Sequence, residues 1–322
     1  MRCAALFLAL LVAACAGGPR PDPFQYVGSG NQPMAAELWL PEGTQRVPVV
    51  VLSHDVRGKR DAHLTDYINA LKGSGAAVLV LDHYGPRSVD VSRPPAERAW
   101  ITAVDFALDA YGALDRLAEH PRIDIRRAGI VGFGEGGGGG AILAAHQWTI
   151  QNRPANAPRF RAVAAVAPEC SYRVGNRATN RIPILILVGD RDNRTGRAAC
   201  EDLANYLRAA AGNVTVNTYR GARHGFDDPA GPVRADPRGE NITRCVWQQG
   251  PDGLWRERAS GITGASLFRI NANEQTNQAY LQSRQACRSL GTETQGDAAF
   301  RGRAVGEVAG HMKTHVIDVR LR

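Results

Sequence analysis

Apolar residues along this chain follow two rhythms. Short runs with almost no polar interruption, namely Val47 to Ser53, Ala77 to Leu81, Ala128 to Phe133, Arg161 to Val166 and Ile182 to Val188, have the length of strands and no inside–outside alternation. That pattern predicts strands buried on both faces of a parallel sheet. Ala36 to Leu40 and Val214 to Tyr219 read as two further strands. Between these runs the period lengthens. Leu64 to Lys72, Arg98 to Glu119, the segment from Phe133 to His146 and Arg197 to Ala211 predict helices, and in the second of them Trp100, Val104, Ala107, Leu108, Tyr111, Leu114 and Leu117 recur three or four apart to make one apolar face. Strands alternating with helices predict an α/β protein with a doubly wound, mostly parallel sheet. Such sheets bind ligands at the carboxyl ends of their strands.

The ends of the chain carry other signals. Arg2, the apolar run Ala4 to Val12 and the small residues up to Cys15 read as an export segment over 1–15. Val12-Ala13-Ala14-Cys15 resembles a bacterial lipobox, which would lipidate Cys15, while Ala14-Cys15-Ala16 also fits ordinary signal cleavage. Either reading predicts an exported, periplasmic protein, with lipid as its means of membrane attachment. Residues 16–33, rich in Gly and Pro, read as a tether. At 322 residues and 44% hydrophobic content the remainder, 34–322, suffices for one large domain. Within it, 228–275 has a different composition: Cys245-Val246-Trp247 and Leu254-Trp255-Arg256 flank Gly250-Pro251-Asp252-Gly253, the signature of a β-hairpin.

Charge and cysteine content narrow the function classes. The formal charge is +8, but lysine occurs only at 59, 72 and 313, and the arginines are scattered among acids instead of forming a stripe. A nucleic-acid partner is therefore not expected. Beyond Cys15 lie Cys170, Cys200, Cys245 and Cys287, an even number suited to an oxidising compartment. Of the three pairings open to them, Cys170 with Cys200 flanks one strand and Cys245 with Cys287 closes the C-terminal insertion, so that pairing is favoured. Zinc competes for cysteines, but no C-x-x-C occurs, and no metal is expected.

Candidate chemistry gathers at three strand ends. Gly129-Ile130-Val131-Gly132-Phe133-Gly134-Glu135-Gly136-Gly137 reads as a strand entering a helix through a sharp turn, the setting of a nucleophile elbow. Gly132 and Gly136 fill the two crowded places around the apex, and Gly134 stands where a serine or cysteine would attack. Shifting the register by one puts bulky Phe133 in a crowded place, and shifting by two again meets a glycine, Gly136. The spacing of Gly132, Gly134 and Gly137 also satisfies G-x-G-x-x-G, and a phosphate-binding turn competes on that pattern alone. The next two strand ends decide against it: Gly189-Asp190-Arg191-Asp192 and Gly221-Ala222-Arg223-His224-Gly225-Phe226 supply an acid, then a histidine, in the chain order of such a site. Ser53-His54-Asp55-Val56-Arg57-Gly58 leaves an early strand where Val56 would give one oxyanion N–H, with Glu135 giving the other. His54 reads as a structural histidine at that strand end. The hairpin after His224 predicts a lid bringing Trp247 or Trp255 to a ligand, with a disulfide-tied surface hairpin as the alternative.

These residues resemble the dienelactone hydrolase family of α/β hydrolases, over roughly 34 to 226. The resemblance rests on His54-Asp55-Val56-Arg57-Gly58, the Asp82 to Arg87 turn, Gly132-Phe133-Gly134-Glu135-Gly136-Gly137, Gly189 to Asp192 and His224-Gly225-Phe226. It implies an α/β-hydrolase fold and hydrolysis of small esters or lactones without a cofactor. It also implies that Asp192 orients His224, that His224 is the general base, and that Asp55 stands beside the oxyanion hole. The departure is Gly134, which lacks the attacking atom. The expectation is an impaired hydrolase; slow hydrolysis by a His224-activated water, or a non-catalytic envelope lipoprotein that binds an ester, lactone or carboxylate, are the alternatives.

Overall fold

In the computed structural model the described residues are 20–93, 101–151, 153–175, 179, 181–264 and 278–319. Residues 1–15, read above as an export segment ending at Cys15, lie outside them. Eight strands form one sheet: β1 (Asp22–Val27), β2 (Pro33–Trp39), β3 (Val47–Ser53), β4 (Ala77–Asp82), β5 (Ile123–Phe133), β6 (Ala162–Val166), β8 (Ile184–Gly189) and β9 (Val214–Tyr219). Their order is β1-β2-β4-β3-β5-β6-β8-β9. The first two pairings, β1 with β2 and β2 with β4, are antiparallel, and the rest are parallel. Strand order reverses around β3, which lies between β4 and β5, so the carboxyl ends of β3 and β5 form the switch point where ligands bind in such sheets.

The unbroken apolar runs follow from burial on two faces. In β3, Val49 and Val51 enter one core cluster and Val50 and Leu52 the other. Helices α2 (Ala103–Leu117), α3 (Gly139–Ala144) and α4 (Arg197–Arg208) cover the first face, and α1 (Asp61–Gly73) with α6 (Ala298–Met312) covers the second. At the start of α2 the Asp105 carboxylate accepts from the Thr102 N–H at 2.9 Å, which stops the helix there.

Two segment boundaries differ from expectation. The tether is partly strand: β1 pairs with β2 from Asp22↔Leu38 to Val27↔Pro33, and its Phe24 and Tyr26 point inward. Gly and Pro on either side hid an alternation only two apolar residues long. The C-terminal insertion also runs past 275. Strand β10 (Arg234–Asn241) pairs antiparallel with β14 (Ser289–Thr294), so the excursion closes at 294 and contains α5 (Gln278–Cys287).

Within the insertion the expected hairpin is present, as β11 (Trp247–Gln249) against β12 (Trp255–Glu257). Together with β13 (Thr263–Gly264) and β7 (Tyr172–Arg173) they make a four-stranded sheet. Both expected disulfides form, Cys170–Cys200 and Cys245–Cys287, with Cα separations of 4.9 and 5.0 Å. The second ties α5 to the base of the hairpin. Among the described residues no helix is long and apolar enough to cross a membrane.

Candidate active site

The glycine turn after β5 is fully buried and shaped by close approach. A Cβ on Gly132 would lie 1.9 Å from the Gly137 carbonyl oxygen, and one on Gly136 would lie 2.8 Å from the Phe106 ring. Those two positions therefore cannot carry side chains. Gly134 has φ +56°, a left-handed conformation that disfavours residues with a side chain, and its Cβ would lie 2.8 Å from the Asp55 Cβ. The expected helix to His146 is interrupted: Gly134–Gly138 form an irregular turn before α3 begins, with Glu135 extended (φ −68°, ψ 151°) and Gly136 at φ 75°.

Asp192 and His224 are brought together. Nδ1 of His224 lies 2.9 Å from Oδ2 of Asp192. The other acceptor sites of that carboxylate take the Arg194 N–H at 2.8 Å, the Thr195 N–H at 2.9 Å and the Thr195 hydroxyl at 3.0 Å. Burial pushes the Asp192 carboxyl up, but His224 and these donors outweigh it and bring it down to about 2. An anionic Asp192 fixes a proton on Nδ1 of His224, which leaves Nε2 as the basic nitrogen.

Glu135 does more than the sequence suggested. Its carboxylate takes Arg194 Nε on one oxygen and Arg284 Nη2 on the other, each at 2.6 Å. Arg284, from α5, also binds Glu240 at 2.6 Å, and Arg288 pairs with Glu240 as well. Burial opposes ionisation of Glu135, but the two guanidiniums, with a smaller contribution from His224, hold it at about 2. Close by, burial and the Glu135 charge raise Glu169 to about 7 against the pull of Arg284, and its Oε1 is buried with no hydrogen-bond partner among the described residues. The Glu169 N–H donates to the Gly134 carbonyl at 3.2 Å, which places this residue against the turn.

On the other flank, Asp55 binds Arg57 and Arg60, and both arginines also reach Asp228. Nε2 of His54 accepts the His83 N–H at 3.0 Å, so its Nδ1 carries the proton and donates to the Asp55 carbonyl at 2.7 Å. That bond orients the Asp55–Val56 peptide, and it agrees with a structural role for His54. His83 also joins the Ser53 hydroxyl, at 2.9 Å from Nε2, to Asp109, at 2.7 Å from Nδ1. Sequence spacing gave no hint of this second Ser-His-Asp chain.

The tryptophans need correction. Trp247 is fully buried, stacked on Tyr172 and donating from Nε1 to the Ser283 hydroxyl at 2.9 Å, and Trp255 packs edge-on to Trp148. They are core residues of the small sheet, 0% and 3% exposed, packed against Tyr172, Tyr280 and Trp148. What the insertion sends toward the turn is Arg284. The sequence also holds one H-x-x-x-H pair, His311 and His315, whose rings lie 4.8 Å apart. Among the described residues no group of three or more potential metal ligands forms.

The profile of the dienelactone hydrolase family matches residues 34–249. The chain belongs to that family. No curated protein matches it in sequence. Among solved structures, a putative dienelactone hydrolase from Klebsiella pneumoniae is 20% identical over 64% of this chain and 88% of its own, with a TM-score of 0.50. Esterase 2 of Thermogutta terrifontis, in a form phosphoramylated by tabun, is 14% identical over 68% and 89%, with a TM-score of 0.52. At these identities the likeness is one of fold, the α/β-hydrolase sheet described above. The family match ends within the small sheet, so β12 to α6 lie beyond it.

Proposed function

We propose that this protein is an exported dienelactone hydrolase relative that keeps the acid and base of a carboxylic-ester hydrolase and has lost its nucleophile at residue 134. It binds a small ester, lactone or carboxylate and forms no acyl-enzyme. The carrying observation is the Asp192–His224 pair, joined at 2.9 Å, in a chain whose turn after β5 has no side chain at residue 134. In family members with a serine or cysteine at the apex, the base takes the nucleophile's proton as its oxygen or sulfur attacks the carbonyl carbon, and two backbone N–H groups receive the oxyanion. Val56 and Glu135 are the residues assigned to that second task here. Two disulfides suit an oxidising compartment, and the export segment at 1–15 with Cys15 as a lipid site supports the same location.

The Asp55 Cβ occupies the space a side chain at 134 would need, so restoring the nucleophile takes two changes. Gly134→Ser together with Asp55→Gly is expected to gain labelling by a fluorophosphonate probe and aryl-ester turnover at least about 10²-fold above the parent, a modest part of the roughly 10⁶ that a nucleophile supplies. Adding His224→Ala should abolish both. Rapid covalent labelling of the unaltered protein would overturn the proposal. Residual ester turnover by the unaltered protein that disappears in His224→Ala would identify slow attack by water at the same site.

A further inference from the structure

At the opposite end of the sheet lies a cleft of about 610 Å³ lined by Arg126, Arg159, Arg161 and Arg181 and by no acidic residue. These arginines stand at the amino ends of three neighbouring strands, β5, β6 and β8. Arg126 shares Asp124 with Arg127, and among the described residues the guanidiniums of Arg159, Arg161 and Arg181 enter no salt bridge or side-chain hydrogen bond. Phe160, Ile182 and Pro183 give the cleft an apolar wall. Eight residues of extended chain separate Arg126 from Gly134, about 26 Å at the rise of a strand, so this cleft is separate from the site around His224.

We infer that this cleft binds a phosphate ester. Four like charges around one concavity repel one another, and among the described residues Asp124, which Arg126 shares with Arg127, is the one carboxylate paired with any of them; an anion in the cleft relieves that repulsion, and the apolar wall strengthens the field it feels. The arrangement suits a tetrahedral anion better than a carboxylate. One guanidinium fork saturates the two oxygens of a carboxylate, whereas the three terminal oxygens of a phosphate monoester accept from guanidiniums arriving from several sides. The wall would take the carbon chain of the ester. Such a group comes either on a soluble metabolite or on the headgroup of an anionic lipid.

The test compares two triple variants that each remove three positive charges. Arg159→Gln/Arg161→Gln/Arg181→Gln empties the cleft; Arg220→Gln/Arg238→Gln/Arg244→Gln removes exposed arginines that do not line it. Glycerol 1-phosphate is titrated calorimetrically into each, with acetate as the carboxylate comparison, and phosphatidylcholine vesicles with or without phosphatidic acid, whose headgroup is a phosphate monoester, are floated with each. Loss of about tenfold or more in glycerol 1-phosphate affinity is expected for the cleft variant alone, the scale of one or two charge-assisted hydrogen bonds. Acetate should bind at least about tenfold more weakly than glycerol 1-phosphate to the unaltered protein. If vesicles containing phosphatidic acid also capture the unaltered protein and not the cleft variant, the ester is a headgroup; capture of neither with retained glycerol 1-phosphate binding makes it a soluble compound. Equal losses in both triple variants would reduce the effect to net charge and overturn the inference, as would equal affinity for acetate. Circular dichroism of the variants, all at exposed positions, checks that the fold is kept.

Discussion

His224 and His83 each hold an aspartate through Nδ1, at 2.9 Å for Asp192 and 2.7 Å for Asp109. Around His83 the third member is present, with Ser53 Oγ 2.9 Å from Nε2. By hydrogen bonds alone His83 is the better triad. Its surroundings cancel that advantage. Ser53, His83 and Asp109 are all 0% exposed, and Arg87 grips both oxygens of Asp109 at 2.7 and 2.9 Å while the Ser29 N–H closes over it at 2.7 Å. The charge of Asp109 is thereby spent on Arg87, and burial, together with that guanidinium, keeps His83 below the ordinary imidazole range against the pull of Asp109. Asp192 receives only dipoles and a hydroxyl besides His224, so its charge stays available to an imidazolium. The comparison teaches that charge balance, more than hydrogen-bond pattern or exposure, separates a general base from a structural relay, since His224 is itself only 4% exposed.

The sharpest way to break this comparison is to damage both pairs and compare stability with function. Asp109→Asn leaves Arg87 buried without its counter-charge, which should cost about 3–5 kcal/mol and lower the melting temperature by roughly 10 °C. His224→Ala leaves Asp192 with its three other donors and should cost about 1 kcal/mol. Differential scanning calorimetry of the two variants reads the contrast directly. Equal losses would mean that the pair at His224 is also structural.

A second test asks whether the site near His224 is braced by the C-terminal insertion, which gives the relay at His83 no partner among the hydrogen bonds above. Cys245–Cys287 closes a loop with a sequence separation of 42 and anchors the helix carrying Arg284, whose guanidinium holds Glu135. Replacing both cysteines with serine should cost about 2–5 kcal/mol. Hydrogen exchange at the turn 134–138 should quicken while the end of β3 keeps its protection. Unchanged exchange at the turn would show that Arg284 braces nothing.

How far the sequence foretold these features depends on the distance over which each is determined. Strands β3 and β5 could be read because burial on two faces leaves a continuous apolar run. Asp192 and His224 could be read because each closes a strand within a few residues of its own glycine, and the crowding at Gly132 and Gly136 is likewise local. Arg284 could not, since its partner Glu135 is 149 residues away and a lone arginine on a polar helix gives no signal. Phe24 and Tyr26 were lost among prolines and glycines, and the tryptophans of the hairpin were misplaced because an aromatic beside a site looks the same in sequence whether it faces a ligand or a core. The Ser53–His83–Asp109 chain joins the ends of β3 and β4 to α2, a meeting that only the order of strands in the sheet creates.

A third, smaller effect is a pH dependence that belongs to the His224 side. Burial raises Glu169 to about 7, so between the unfolded value of about 4.3 and that pH the native state holds a proton that the unfolded chain has released. The contribution is complete below the unfolded value and is lost as pH rises through about 7. Melting temperature should therefore fall a few degrees more between pH 5 and pH 8 in the native protein than in Glu169→Gln. Parallel slopes in the two proteins would remove Glu169 from the account.

The smallest expected effect isolates the hydroxyl that makes the sealed relay look catalytic. With Asp109 held at about 2 it is anionic near neutrality, so Nδ1 of His83 carries the proton, Nε2 accepts, and the Ser53 hydroxyl donates. Ser53→Ala leaves that buried nitrogen without its donor and should cost about 1–2 kcal/mol. Turnover of aryl esters and labelling by a fluorophosphonate should not change, in the native chain or in Gly134→Ser/Asp55→Gly. Were any covalent label to vanish with Ser53, the sealed relay would be opening to reagents on the time of the experiment, and the division of labour between the two histidines would have to be reversed.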